Sequence, residues 1–362
     1  MDFSLSEEQL ALQDSARQFA KKELPDIAKQ IEKTDEPPNI ELRKQFASLG
    51  YLGINLPEEY GGAGMTHLDA VLVLEEIAKV SIAVAFPIFE SCFGPSLAVA
   101  HFGNETLRQT ILPQVCSGDM VLAVSMSEPN AGSALTDLTT RARLKDNQVI
   151  INGTKRWCSG AGHSEGYIVY CRMGEIQGAK GIGAVFIPKA SKGLTFGNRD
   201  HHLGFRGVSS ADMYFDNVTV PKENILVDAG GFSKLMDAFD LERCGNTTMS
   251  LAVAQSAFEF VLGYVQERQQ FGKPLIDFQA VQVQLAEIKM KLDAARLLLY
   301  RAVVNAEQGL PSIADSSIAK CFANEAAREI TGKAMQLMGC LLYTSDAADD
   351  TPCVDLGGRR II

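Results

Sequence analysis

The chain has 362 residues, 46% of them hydrophobic and 22% charged, and a formal net charge of -10. That composition is of the ordinary globular kind with room for more than one domain, and it excludes general binding to nucleic acid or an anionic membrane, which needs a basic face. An anionic ligand must therefore be held locally, by a few Arg or Lys and by backbone N–H groups. The start, Met1-Asp2-Phe3-Ser4-Leu5-Ser6, is acidic and lacks the basic-then-apolar order of a signal peptide, so a cytoplasmic protein is expected. Apolar runs fall short of the roughly 18 to 20 residues that span a bilayer, and no membrane insertion is expected. The eight cysteines lie scattered without CxxC pairs, which favours reduced, buried thiols over disulfides or zinc. The histidines form no ligand pattern, and no metal site is expected.

Residues 1–119 read as a helical domain. Leu5, Leu12, Ala16 and Phe19 recur at helical spacing, and Ser6 with Gln9 supplies a capping box. A second element runs from Ile40 to Leu49 and stops at Gly50. The loop Leu56-Pro57-Glu58-Glu59-Tyr60-Gly61-Gly62-Ala63-Gly64 follows, then a helix over Leu68 to Lys79. Pro87, Gly94-Pro95, Gly103 and Pro113 punctuate the rest.

Residues 120–228 change to alternation and turn dipeptides, the pattern of a β domain of barrel-like form. Val149 to Trp157 reads as a strand, an Asn152-Gly153 hairpin turn and a second strand. Tyr167 to Cys171, Ala184 to Ile187, Asp212 to Phe215 and Asn217 to Val220 are further predicted strands. Helical spacing returns after Gly230-Gly231 and builds a bundle over residues 229–339. Two long helices flank Phe271-Gly272-Lys273-Pro274, and a third spans Ile313 to about Met338. The fold class is thus mainly α with a central β domain.

Three stretches carry candidate chemistry. Val124-Ser125-Met126-Ser127-Glu128-Pro129-Asn130-Ala131-Gly132-Ser133 offers hydroxyls and small residues at a domain junction, although an isolated Asn-Ala-Gly-Ser is also an ordinary turn. Lys155-Arg156-Trp157-Cys158-Ser159-Gly160 contains the only tryptophan, either a core residue or a flat surface that stacks on a ring while Ser159, two positions on, bonds its edge. Glu267-Arg268-Gln269-Gln270-Phe271-Gly272-Lys273-Pro274, with Asp277-Phe278-Gln279, places a cation between two helices, either solvated or reaching a phosphate.

In this order and spacing, with Leu203-Gly204-Phe205-Arg206-Gly207 and Phe215-Asp216-Asn217-Val218-Thr219-Val220-Pro221, these segments resemble the acyl-CoA dehydrogenase family over residues 1–339. The resemblance implies an FAD between the β domain and the C-terminal bundle. Val124, Ser125, Met126, Ser127, Gly132 and Ser133 would line its pyrimidine side, and Trp157, Cys158 and Ser159 would cover the ring. Arg268, Gln269, Gln270, Phe278, Gln279, Gln336 and Gly339 would reach the FAD of a neighbouring subunit, which implies a homodimer or homotetramer. The implied substrate is an acyl-CoA thioester, dehydrogenated between its α and β carbons, and the implied acceptor is electron-transfer flavoprotein.

That reaction needs a base for the α-proton, donors for the enolate-like oxygen and a flavin to take the β-hydride. The family's usual Glu-Gly-Thr loop is missing. After Gly339 the residues 340–362 read as a non-family tail, foreign or frame-shifted, so the bundle is expected to be incomplete and the chain to have little activity as written. Asp240-Leu241-Glu242-Arg243, which opens the first long C-terminal helix, matches the family's second placement of the catalytic Glu. Glu242 is either that base or a helix-start acid favoured by the dipole. Asp240, Leu241, Glu242 and Arg243 would form the substrate site together with Ser133. Phe86, Phe89, Cys92 and Phe93 are pocket or core candidates. Two alternatives stay open: other flavin chemistry on the same scaffold (acyl-CoA oxidase, nitroalkane oxidase or thioester desulfinase, the last suggested by Ala134), or an impaired fragment that binds FAD and acyl-CoA without turnover.

Overall fold

Ser6 and Thr66 each close a capping box, and Asn39, Ser81 and Asn104 cap three further helices, so the N-terminal third divides where its side chains satisfy the first free N–H groups. The computed structural model describes residues 4–307 and 309–339; the tail expected at 340–362 lies outside the described residues. In chain order the first helices are α1 (Glu7–Glu23), α2 (Pro25–Thr34), α3 (Ile40–Ser48), α4 (His67–Ala78), α5 (Ile82–Cys92), α6 (Pro95–Phe102) and α7 (Glu105–Cys116). Gly94, Pro95 and Gly103 stand at helix borders as expected, whereas Pro87 and Pro113 lie inside α5 and α7. Both helices bury the side chains around the proline, Val84 and Ile88 in one, Ile111 and Leu112 in the other, and that packing outweighs the lost backbone bond.

The expectation that no segment has the length and apolarity of a membrane span also needs correcting. Ile82–Phe102 and Phe232–Glu267 both reach it, because averaged hydropathy tolerates the small and polar residues that break an apolar run. In the first of them 89% of the apolar window is buried inside the protein, so its apolarity serves the core.

The middle of the chain supplies β1 (Leu122–Ser125), β2 (Arg141–Lys145), β3 (Gln148–Ser159), β4 (Gly166–Met173), β5 (Ile182–Pro188), β6 (Leu194–Phe196), β7 (Ser210–Pro221) and β8 (Ile225–Val227). They form one sheet in the order β6-β7-β3-β2-β4-β5-β8, with β1 parallel to β4 beyond the end of β2. Strand β4 is buried along its whole length. Tyr167, Val169 and Cys171 enter the core inside the β domain, while Ile168 and Tyr170 enter the core shared with the helices. A strand covered on both faces reads as an unbroken apolar run, which is how Tyr167 to Cys171 appears in the sequence.

Two sequence expectations fail here. Asn152-Gly153 is no hairpin turn: β3 runs straight through it, and the turn lies earlier, at Asp146 (φ 55°), between β2 and β3. The pairing of β3 with β7 shifts register between Ile151 and Gly153, and a Cβ on Gly153 would stand 2.4 Å from Thr140 Oγ1. The glycine therefore serves a bulge and a close crossing rather than a turn. Likewise Asp212 to Phe215 and Asn217 to Val220 are one strand, β7, which absorbs Asn217 at φ 51°.

Helix α8 (Phe232–Glu267), the small hairpin β9 (Gln269–Gln270) and β10 (Lys273–Pro274), α9 (Gln279–Asn305) and α10 (Ile313–Met338) complete the described chain. The two-helix flank and the third helix match the sequence reading. Helical domains thus enclose a central sheet domain. Buried polar links hold the three parts in place. Arg43 of α3 donates two bonds to Glu165, at 2.9 and 3.1 Å, and Val121 N–H donates to the same carboxylate at 2.7 Å. Arg296 of α9 reaches Glu75 of α4 at 2.6 Å, and Tyr170 Oη donates to Leu235 C=O at 3.3 Å.

Candidate active site

The site is built where β1, β3, α5 and α8 converge. Helix α8 approaches α5 closely because residue 245 is glycine: a Cβ there would meet Phe93 Cβ at 2.5 Å and Phe89 Cδ2 at 2.8 Å. On the same face of α8, Phe239, Glu242, Asn246 and Met249 recur at spacings of three and four. They face Phe86, Phe89 and Glu90 of α5, and Val124, Met126, Ser127, Arg156, Trp157, Cys158 and Ser159 from the β domain. Together with Phe205 these residues line one cavity of about 250 Å³. Phe86 stacks on Phe89 with ring centroids 5.7 Å apart and meets Phe205 edge-on at 5.8 Å. Cys92 and Phe93, the other two pocket candidates, are plain core.

Position 242 lies ten residues inside a helix that starts at Phe232. The expectation that Asp240 to Arg243 open this helix is therefore corrected, and with it falls the reading of Glu242 as a first-turn acid, since the helix dipole acts within the first turn. Gly230-Gly231 is the true break, and the apolar pattern of Phe232, Leu235, Met236 and Phe239 already belongs to the helix. The half-buried Glu242 lines the cavity beside Phe86, Phe89, Phe239 and Met249. Burial pushes its pKa up to about 8, against a smaller opposing pull from Arg243.

The other members of that tetrad sit differently. Leu241 is fully buried core. Asp240 accepts from Ser316 of α10 at 2.9 Å and pairs with Arg243, whose guanidinium lies over the Phe239 ring. Asp240 thus ties α8 to α10, Arg243 steadies it from the same helix, and neither lines the cavity.

In the β domain a buried ion pair shapes the loop after β1. Lys155 Nζ, fully buried, donates to Glu128 Oε1 at 2.9 Å and to Met126 C=O at 2.7 Å. Glu128 also accepts from the N–H and hydroxyl of Thr139 and from Thr140 N–H. Burial alone would push this carboxyl up, but the Lys155 charge and the threonine donors bring it down to about 2. Lys155 and Glu128 carry no assigned role in the sequence pattern, although Glu128 lies between Val124 and Ser133 and Lys155 two residues before Trp157. The available signal was a charged residue in a strand otherwise pointing inward. Their effect is to hold Met126 and Ser127 against β3, where Arg156 N–H donates to Ser127 C=O at 2.9 Å.

Strand β3 shifts register between Lys155 and Cys158, and Trp157 takes φ 60°. The bulge turns the indole out of the sheet, so that the only tryptophan is 61% exposed at the mouth of the cavity, with Arg156 over its ring at 5.2 Å. Arg156 is itself held by two bonds of 3.1 Å to Asp212. The exposed indole, carrying Arg156 over one side of its ring, lines the same cavity as Ser127 and Ser159 and offers with them a stacking face and hydrogen-bonding groups for a planar, polar-edged ring, so the residues present fit a flavin. Cys158 packs beneath, its thiol pushed up to about 12 by burial.

The remaining candidates do not meet at this cavity. Ser125 is buried in β1, and Gly132 and Ser133 are exposed in the loop that follows. Arg268, Gln269, Gln270 and Gln279 are exposed around the β9–β10 hairpin, where Phe271 at the tip is 93% exposed and meets Phe278 edge-on. Gln336 lines a separate groove between α9 and α10, and Gly339, at φ 59°, ends α10. No cluster of metal-ligating side chains occurs among the described residues.

Comparison with known proteins bears on this geometry directly. The N-terminal, middle and C-terminal domain models of acyl-CoA dehydrogenase match residues 6–119, 123–218 and 229–353. The 3-sulfinopropanoyl-CoA desulfinase of Variovorax paradoxus is 36% identical over 351 residues, covering 94% of this chain and 87% of the relative. The mitochondrial short-chain specific acyl-CoA dehydrogenase of Homo sapiens is 34% identical over 346 residues, covering 94% and 83%. Among solved structures, butyryl-CoA dehydrogenase from Megasphaera elsdenii superimposes with a TM-score of 0.93 at 29% identity, covering 99% of this chain and 94% of that one. The family is FAD-dependent. With matches along the chain and a cavity that fits a flavin, this protein belongs to the acyl-CoA dehydrogenase family.

Proposed function

We propose that the chain catalyses flavin-dependent α,β-dehydrogenation of an acyl-CoA thioester to the 2-enoyl-CoA, with Glu242 as the base. The observation that carries this is the presence of Glu242 in the same cavity as Trp157, Ser127 and Ser159. A carboxylate whose pKa stands at about 8 matches the α-proton of a thioester better than a solvated one does. Glu242 takes that proton while the phenylalanine walls of α5 and α8 keep water from the reacting carbons. The bound flavin supplies the acceptor for the β-hydride. Trp157 and Cys158 would back the ring, Ser127 and Ser159 would hydrogen-bond its edge, and Val124 and Met126 would line the same space. The test is anaerobic titration with butyryl-, isovaleryl- and octanoyl-CoA while the flavin absorbance is followed. Bleaching that disappears in Glu242→Gln supports the assignment, and bleaching that persists in that variant sinks it.

Relatives support an acyl-CoA substrate and a flavoprotein partner, and we take electron-transfer flavoprotein as the acceptor and the cytoplasm as the location. Domain limits at 119/120 and 228/229 belong to the same proposal. So does a homodimer or homotetramer, in which Arg268, Gln269, Gln270, Phe278, Gln279, Gln336 and Gly339 serve the flavin of a neighbouring copy. Two features support a second copy: the exposed hairpin set apart from the cavity, and an apolar seam of Val283, Met290, Leu297 and Val304, exposed at seven-residue intervals along α9. The identity to a desulfinase favours one second reading, release of sulfite from a sulfinated acyl thioester, and sulfite assay with 3-sulfinopropanoyl-CoA separates the two.

A further inference from the structure

The cavity holds a second carboxyl that the dehydrogenation does not use. Glu90 of α5 lines the same space as Glu242 and is only 4% exposed. Its Oε2 is buried without a hydrogen-bond partner. That oxygen is folded over Gly94, where a Cβ would stand 2.5 Å away, so the glycine leaves the room in which the carboxyl lies. A polar atom buried without a partner costs free energy, and because Glu90 also lines the cavity, a turn of its carboxyl away from Gly94 would let a ligand supply the missing partner.

The chemistry of that partner follows from the surroundings. Burial, with a smaller contribution from Glu242, drives Glu90 well above the usual carboxylate range and so favours its protonated form. A protonated carboxyl donates one hydrogen bond and accepts others, which suits a neutral oxygen and not a cation. The walls next to it, Phe86, Phe89, Phe239 and Met249, pack on methylene groups.

Resting on the thioester reading above, we propose that Glu90 is a specificity-determining residue that hydrogen-bonds a hydroxyl or carbonyl oxygen on the acyl chain. The favoured substrates are then oxygen-bearing acyl-CoA thioesters rather than plain alkyl ones. An alkyl chain of equal length would leave Glu90 buried and unpaired, and this is the discrimination that a hydrogen-bonding pocket exerts against an analogue lacking the polar group.

The experiment uses the full chain with FAD bound and reads dissociation constants by calorimetry, which needs no turnover. The probes are 4-hydroxybutyryl-, 5-hydroxypentanoyl- and 6-hydroxyhexanoyl-CoA, each set against the alkyl thioester in which methyl replaces the hydroxyl. At the length that reaches Glu90 the hydroxyl member binds about tenfold more tightly, the size of one net hydrogen bond. Glu90→Leu reverses that preference, and Glu90→Gln, whose amide still donates, retains it in part. The conservative variant guards against misfolding of the leucine one. Alkyl preference at every length in the unaltered protein, or a hydroxyl preference that survives Glu90→Leu, overturns the inference and leaves the thioester reading intact. Failure of every thioester to bind overturns both.

Discussion

Two regions of this chain carry the flavin-site candidates, and they differ in how much of a site one chain completes. The cavity between α5, α8 and the end of β3 is walled by one chain: burial raises the pKa of its carboxyl groups, its loop is braced by a buried ion pair, and its aromatic walls pack on one another. The corner at the β9–β10 hairpin is open, with Arg268, Gln269 and Gln270 exposed and Phe271 standing almost free in solvent. Burial turns a residue type into a chemical property, as the raised pKa of Glu242 illustrates. An exposed arginine gains no comparable definition until something covers it. The first region is a site in its own right, and the second becomes one only against another surface.

The sharpest way to break this contrast is at the cavity. Glu242→Gln keeps the shape and removes the base, so the rate of flavin bleaching by an acyl-CoA falls by about 10²- to 10⁴-fold while FAD content is unchanged. A variant that bleaches at the normal rate would move the base elsewhere. Next in size is the ion pair beneath Ser127. Lys155→Met leaves Glu128 buried without its cation, and denaturant unfolding shows a loss of about 3–5 kcal/mol with weakened FAD retention. Stability unchanged within error in that variant would show that the pair does not brace the loop.

At the open end the expectation is the reverse. Arg268→Ala alters unfolding of the subunit by no more than about 0.5 kcal/mol, since it touches little within one chain. It nevertheless weakens FAD binding by about tenfold or more in the assembled protein, through loss of a charged hydrogen bond. FAD affinity equal to that of the parent would return Arg268 to the status of a solvated cation. The smallest effect concerns pH. The base must be ionised, and burial has raised its pKa, so kcat/KM rises with pH and levels off above about 8. The stability term has the opposite sign: the folded chain holds this proton more tightly than the unfolded one, so the contribution of Glu242 is full below the ordinary carboxylate range and is lost as pH rises towards 8. A kcat/KM that is flat through neutral pH and above would show that Glu242 does not titrate as the base.

Much of this architecture is written in local patterns. Helical spacing, capping boxes and the Phe271-Gly272 break locate the long helices, because those signals act within a few residues and need no partner. The motifs Ser-Glu-Pro-Asn-Ala-Gly-Ser, Trp-Cys-Ser and Glu-Arg-x-x-Phe-Gly-Lys-Pro point to the family by their order along the chain. Tertiary structure alone decided what depends on distance through space. Asn152-Gly153 has the composition of a turn, yet pairing with β7 pulls it straight and makes it a bulge. Asp240 and Glu242 look alike on paper. One turns towards Ser316 and becomes a strut, while the other turns towards α5 and gains a proton affinity near neutrality. Glu90 carried no motif, and only the close approach of two helices at Gly245 set it beside Glu242. Sequence patterns report the backbone's local choices; desolvation, which gives these carboxyl groups their chemistry, is a property of the packed whole.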